Sequence, residues 1–190
     1  MRYLLAATAI GLALSSGVAG AARAADVLTL TSSAIQDNGT LATKNACGDK
    51  QRSPNCVGEN VSPPLAWSGA PDGTKSYALL LIDPEGRAPA GVNHMVIYGI
   101  PTDVKGFAEG EISQPSEKYV GGKSTMGVAT YTGPGTPPGT DWHHYTFVLI
   151  ATDLDPKALQ PGLTREDLTT ALKDHVKASA GLVTRFRHPT

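Results

Sequence analysis

Four side chains able to handle a proton or an anion stand beside short apolar runs in this chain: Asp83, His94, His143 and Tyr145. A carboxylate beside an imidazole fixes one ring tautomer and favours the imidazolium. Imidazole and phenol both donate hydrogen bonds to an oxyanion. Between them lies a loop rich in Gly and Pro, Gly133-Pro134-Gly135-Thr136-Pro137-Pro138-Gly139. Its glycines can bring free backbone N–H groups close to an anion. The set suggests capture of a small anion. Two catalytic readings of the same residues compete with it. Asp83, His94 and His143 would serve as three zinc ligands with an open fourth position, but no dense spacing such as HExxH supports a metal. Nucleophilic catalysis would need an activated serine. Ser68 follows Trp67 and precedes Gly69 with no G-x-S-x-G elbow around it. It is more simply a turn residue, as Asp83 before Pro84 is a turn initiator.

The elements that must position these groups are strands. Residues 77–83 (YALLLID) form a short apolar run bounded by turn residues, expected to be a strand buried on both faces. Residues 94–100 (HMVIYGI) form a second, and residues 144–152 (HYTFVLIAT), rich in aromatic and β-branched types, a third. The connection between the first two, residues 84–93, is too short for most helical crossovers, which predicts an antiparallel pair. Asp83 then ends one strand beside the start of the other at His94. His143 and Tyr145 are two apart and share a face, while His144 points the other way. Strands are also expected at residues 27–32 and, more weakly, at 127–132 and 183–187. Residues 34–64 and 102–124 read as loop. One helix is expected from Arg165, capped by Thr164, with Glu166 and Asp167 in its first turn and Leu168, Ala171, Leu172 and Val176 on one face. Lys173 and Lys177 fall toward its C-terminal end. The pattern predicts a mainly β fold, an antiparallel sandwich with peripheral short helices.

The chain has 190 residues, 16 Lys+Arg against 17 Asp+Glu, and 41% hydrophobic residues. That balance offers no global field to attract nucleic acid, and the apolar content suffices for a core. Residues 1–24 have the three-part form of a secretory signal peptide. Arg2 comes first, then an uncharged apolar run at 4–18, then Ala22-Arg23-Ala24 or Ala19-Gly20-Ala21 as cleavage site. The run falls short of the roughly 20 residues that a spanning helix needs, and no other stretch is a candidate transmembrane segment. One domain over residues 25–190 follows, in the periplasm or secreted. In an oxidising compartment the two cysteines, Cys47 and Cys56, are expected to be bonded. Sequons occur at Asn38 and Asn60. Asn60 reads as a turn residue, and Pro63 disfavours glycosylation there.

Taken in order, Asn60-Val61-Ser62-Pro63-Pro64-Leu65-Ala66-Trp67, residues 77–84, Asn93-His94-Met95-Val96-Ile97-Tyr98-Gly99-Ile100-Pro101, the Gly133-Pro134 loop and His143-His144-Tyr145 resemble the phosphatidylethanolamine-binding protein family in its bacterial, Raf kinase inhibitor-like branch. The resemblance spans nearly all of the chain after residue 24. It implies a Greek-key-like sandwich with a pocket for phosphate, acetate or a phospholipid head group. It places that pocket at Asp83, His94, Gly133, Pro134, His143 and Tyr145, without catalytic residues, metal or cofactor. The second function it implies is inhibition of a protein partner, a protease or kinase, through a protruding loop such as residues 102–124. The chain departs from the family pattern at Glu85-Gly86-Arg87, inserted between Asp83-Pro84 and Ala88-Pro89. It departs again at Asn93 before the histidine, and at His144 where the family carries arginine.

Overall fold

A computed structural model describes residues 27–189. The signal peptide expected at residues 1–24, and its boundary with the domain, lie outside the described residues. The chain runs through β1 (Thr29–Thr31), β2 (Gly39–Thr40), β3 (Leu65–Ser68), β4 (Ser76–Asp83), β5 (Val92–Pro101), β6 (Gly106–Phe107), β7 (Val120–Gly121), β8 (His143–Thr152), α1 (Arg165–Ala171) and β9 (Val176–Phe186). Single 3-10 turns stand at Thr43–Asn45 and Glu111–Ser113.

The strands form two sheets, a small one in the order β1-β3-β6 and a large one in the order β2-β9-β8-β4-β5-β7. All pairs are antiparallel except β2 with β9, which is parallel. The main core fills the space between the sheets. Leu30, Leu65, Trp67 and Phe107 from the small sheet meet Tyr77, Leu79, Leu81, Ile97, Phe147 and Leu149 from the large one. Alternate positions of the same strands, Ala78, Leu80, Val96 and Tyr98, point outward under Leu168 and Leu172 of the α1 region. That second cover is why YALLLID carries no polar alternation: a strand buried on both faces has no solvent side to mark.

The helix begins as expected. The Thr164 hydroxyl accepts from the Asp167 amide at 3.1 Å and the Asp167 carboxylate accepts from the Thr164 amide at 3.1 Å, a reciprocal cap. It ends sooner than expected. Asp174 takes a left-handed φ of 67°, and the chain reverses, so Val176 and Lys177 open β9 and are not on the helix. The last strand accordingly runs from Val176, well before the expected residue 183. Residues 127–132 form no strand, since Gly127 turns back through its amide to the Ser124 carbonyl at 2.8 Å. The stretch 102–124, expected as a loop, holds β6, a 3-10 turn and β7, and its Phe107, Ile112 and Tyr119 enter the main core. These three side chains anchor the stretch, while Gln114, Pro115, Glu117 and Lys118 stay exposed.

Candidate functional site

β4 and β5 pair with Asp83 opposite Val92 and Ile82 opposite Asn93, while Leu81 lies opposite Met95. His94 is thus the extra residue of a β-bulge. Strict alternation would send His94 and Met95 to opposite faces. The bulge turns both inward: Met95 joins the main core and the His94 ring lies edge-on to Tyr145, with centroids 5.2 Å apart. On β8, His143 and Tyr145 share the inner face, stacked at 6.4 Å.

Asp83 is the hub. Its Oδ1 accepts from the backbone amides of Glu85 at 3.0 Å and Gly86 at 2.9 Å, closing a turn. Its Oδ2 accepts from His143 Nδ1 at 2.8 Å and lies 4.0 Å from His94 Nε2. Burial, and after it the nearby carboxylate, drives the Tyr145 phenol well above its ordinary range, so it stays protonated and acts as a donor. The turn and the site thus use different oxygens of one carboxylate. Gly86 is required there because a Cβ would approach Asp83 Oδ2 to 2.8 Å.

His94 departs from expectation in its charge. Nδ1–H donates to the Thr132 carbonyl at 2.9 Å, which leaves Nε2 as the free ring nitrogen. Desolvation lowers the His94 pKa below its ordinary 6.5, outweighing the Thr132 hydrogen bond and the Asp83 charge that raise it. The neutral ring therefore predominates at pH 7, and the carboxylate does not make this histidine an imidazolium.

These groups line one open cleft of about 990 Å³. Asp83, His94, His143 and Tyr145 converge there, with Gly133 on the wall. Pro134 is not on the lining. Its carbonyl accepts from the Cys47 amide at 2.9 Å. Nor is the Gly133 amide free, because it donates to Asn60 Oδ1 at 2.9 Å. The donors left in this loop lie further along. The Thr136 hydroxyl is buried without a hydrogen-bond partner among the described residues, and Thr136 and Gly135 both line the cleft. Reading glycines alone missed Thr136. The Gly-Thr-Pro-Pro sequence places a hydroxyl between constrained backbones, but only the fold reveals that it is left unpaired.

The segment carrying the Cys47–Cys56 disulfide also lines the cleft. Asn60, at a left-handed φ of 59°, ties this segment to the loop. Its Nδ2 donates to the Tyr131 carbonyl at 3.1 Å while its Oδ1 holds Gly133. The Tyr131 hydroxyl returns to the Asn45 carbonyl at 2.8 Å. Arg87, exposed at a left-handed φ of 50°, stands on the rim. His144 faces away and pairs with Glu85 at 2.8 Å. Among the described residues, no group of three His, Cys, Asp or Glu side chains is disposed to hold a metal.

Two packed β-sheets carry a polar cleft at the strand ends, built on one buried carboxylate and two imidazoles. The chain belongs to the phosphatidylethanolamine-binding protein family, whose model matches residues 31–187. It is 39% identical over 151 residues to a UPF0098 protein of Methanothermobacter thermautotrophicus, covering 75% of this chain and 95% of that protein. It is 31% identical over 167 residues to LppC of Mycobacterium tuberculosis, named as a lipoprotein, covering 87% and 75% of the two chains. The crystal structure of YbcL of Escherichia coli, described as a member of the mammalian PEBP family, superposes with a TM-score of 0.74 at 26% identity. That match covers 84% of this chain and 98% of YbcL. Proteins of the family are generally binding or regulatory proteins that take small anions or lipid head groups.

Proposed function

We propose that this is an exported binding protein whose cleft captures a phosphate-like group, free or as a phospholipid head group, with acetate as a smaller surrogate. The observation that carries the reading is the His143–Asp83 bond at 2.8 Å. It commits Nδ1 and leaves Nε2 of a partly exposed ring as the group that meets a ligand. An anion reaching Nε2 of neutral His94 must bring or recruit a proton, so capture through that ring is coupled to proton uptake. Export is supported by the disulfide, by likeness to a lipoprotein and by the leader pattern at residues 1–24, which leaves one domain at 25–190. No helix among the described residues is long and apolar enough to cross a membrane.

Calorimetric titration of the oxidised protein with O-phosphorylethanolamine and with inorganic phosphate tests the reading. Saturable heat with both, changing with the buffer's ionisation enthalpy as proton uptake demands, supports it. No heat with either ligand refutes it.

A further inference from the structure

Between Cys47 and Cys56 the chain makes a loop, Gly48-Asp49-Lys50-Gln51-Arg52-Ser53-Pro54-Asn55, with no apolar side chain but that of Pro54. None of these residues joins either hydrophobic core, yet Asp49, Arg52 and Asn55 line the cleft. Local bonds shape the loop. Asp49 Oδ1 accepts from the Gln51 amide at 3.0 Å and the Arg52 amide at 3.1 Å, and the Asp49 carbonyl accepts from the Ser53 amide at 3.1 Å. Its base is fixed. The disulfide closes it, the Gly58 amide donates to the Cys47 carbonyl at 2.9 Å, and the Cys47 amide donates to the Pro134 carbonyl at 2.9 Å. Gly135 packs against the disulfide, where a Cβ would lie 3.1 Å from Cys47 Sγ. The tip is held differently. Arg52 Nη2 donates to the Met126 carbonyl, 74 residues away. Among the described residues this is the one hydrogen bond from 48–55 to anything beyond the loop and its two cysteines. Met126 also lines the cleft. Its turn is anchored to the start of β5, the strand of His94: the Thr125 amide donates to the Asn93 carbonyl at 2.9 Å, and the Asn93 amide to Thr125 Oγ1 at 2.9 Å.

We infer that residues 48–55 are a strap that closes over the cleft, latched by Arg52 on the Met126 carbonyl, and that release of this latch sets how fast a bound anion leaves. The inference rests on the cleft being the ligand site. A segment without buried apolar side chains lies at the low end of local stability and opens readily. Here the covalent base confines that opening to a swing of the tip. The latch joins two segments from different parts of the fold, the disulfide segment that backs the Gly133–Pro137 loop and the turn tied to β5. Making it draws the two together, and breaking it parts them. A charged donor on a surface carbonyl is strong enough to keep the strap shut most of the time. It is weak enough to release on the time scale of active-site loops, about microseconds to milliseconds. Arg52 is thus a positioning residue, its guanidinium committed to Met126. The rim gives it no role as a second anion contact, because Asp49, Glu59 and Glu85 line the cleft along with Arg52 and Arg87, leaving no positive excess there.

Two readouts on the oxidised protein test this. Amide hydrogen exchange across residues 48–55 is followed by mass spectrometry without ligand, and dissociation of O-phosphorylethanolamine is followed by phosphorus NMR magnetisation exchange. Arg52→Ala should speed exchange at Gln51 and Ser53 about tenfold and raise the dissociation rate by a similar factor. Arg52→Lys, which keeps one charged donor, should lie close to wild type. Cys47→Ser with Cys56→Ser, which frees the base, should speed exchange further along the whole loop. Unchanged hydrogen exchange in Arg52→Ala overturns the strap. Weakened binding with unchanged hydrogen exchange overturns it too, since Arg52 would then meet the anion itself. Faster hydrogen exchange with an unchanged dissociation rate removes the loop from ligand retention and equally refutes the inference. If wild type binds no O-phosphorylethanolamine, the reading of the cleft fails, and the hydrogen exchange alone decides the latch.

Discussion

His143→Ala and His144→Ala remove the same chemical group one residue apart, and the structure gives them opposite consequences. His143 has one nitrogen on buried Asp83 at 2.8 Å and its other nitrogen available to the cleft. Its removal deletes a charge-assisted donor worth about 1.5–3 kcal/mol, or about 10- to 150-fold in affinity for a phosphate group. It also strips one donor from a carboxylate whose side chain is 4% exposed. The two backbone amides on Oδ1 remain, so the expected loss of stability is about 1–3 kcal/mol and the fold survives. His144 is 44% exposed and its pair with Glu85 lies at the surface, where such pairs contribute about 0–1 kcal/mol. Its removal should weaken binding less than about threefold, through the Glu85 carboxylate left on the rim. Both variants are checked for a complete unfolding transition, then titrated calorimetrically with O-phosphorylethanolamine. Equal affinities, or a loss confined to His144→Ala, would show that the anion does not meet β8 from its inner face.

The depressed pKa of His94 makes stability depend on pH. The unfolded chain takes up the proton first, so the contribution is present above about pH 6.5 and is lost as pH falls below it, by up to about 1.4 kcal/mol per unit. His94→Gln, whose amide can still donate toward Thr132, should flatten the urea midpoint between pH 7.5 and 5.5 relative to wild type; parallel pH profiles would contradict the assignment. Gly133→Ala would set a Cβ onto the Asn45 carbonyl oxygen, and because that neighbour is backbone the expected cost is about 1–3 kcal/mol or more, read as a lowered denaturation midpoint together with weakened head-group binding. Replacing Cys47 and Cys56 by serine should lower stability by about 2–3 kcal/mol for so short a loop. Thiol titration of the unreduced, unfolded wild type should find no free thiol.

The legible parts of the sequence were those where one force acts alone. The run at 77–83 had no competing pattern, and Thr164 with Asp167 satisfied helix amides in the only way their spacing allows. The antiparallel return after Asp83 followed from loop length, although the second strand begins at Val92 and not at His94. Errors arose where tertiary contacts override local preference. Val176 continued the helical spacing of Leu168 and Leu172, but pairing with Thr152 of β8 captured it for a strand. The neighbouring Ala178, Ser179, Ala180 and Gly181 have too little side chain to announce one. The bulge at His94 is invisible in sequence because it exists only in the register against β4. The expectation that Asp83 favours the imidazolium of a neighbouring histidine came from charge proximity alone, and at His94 depth of burial outweighs it. The free amide expected at Gly133 was lost to Asn60, a residue 73 positions away that reads in isolation as a turn former.

The last strand made is not the last strand of the sheet. β9 lies between β8 and β2, its Thr184 aligned with Gly39 and the Val183 amide bonded to the Asp37 carboxylate, 146 residues apart in the chain. A nascent chain therefore has no partner for β2, and no neighbour on the open edge of β8, until its C-terminus has been synthesised. Pairings this distant must bring the chain ends together before any hydrogen bond repays the lost freedom, which places such folds among the slow ones, on the order of milliseconds to seconds. A polypeptide that cannot close its sheet during synthesis stays pliable long enough to be threaded through a narrow pore. An exported chain, as proposed above, would complete its architecture on the far side.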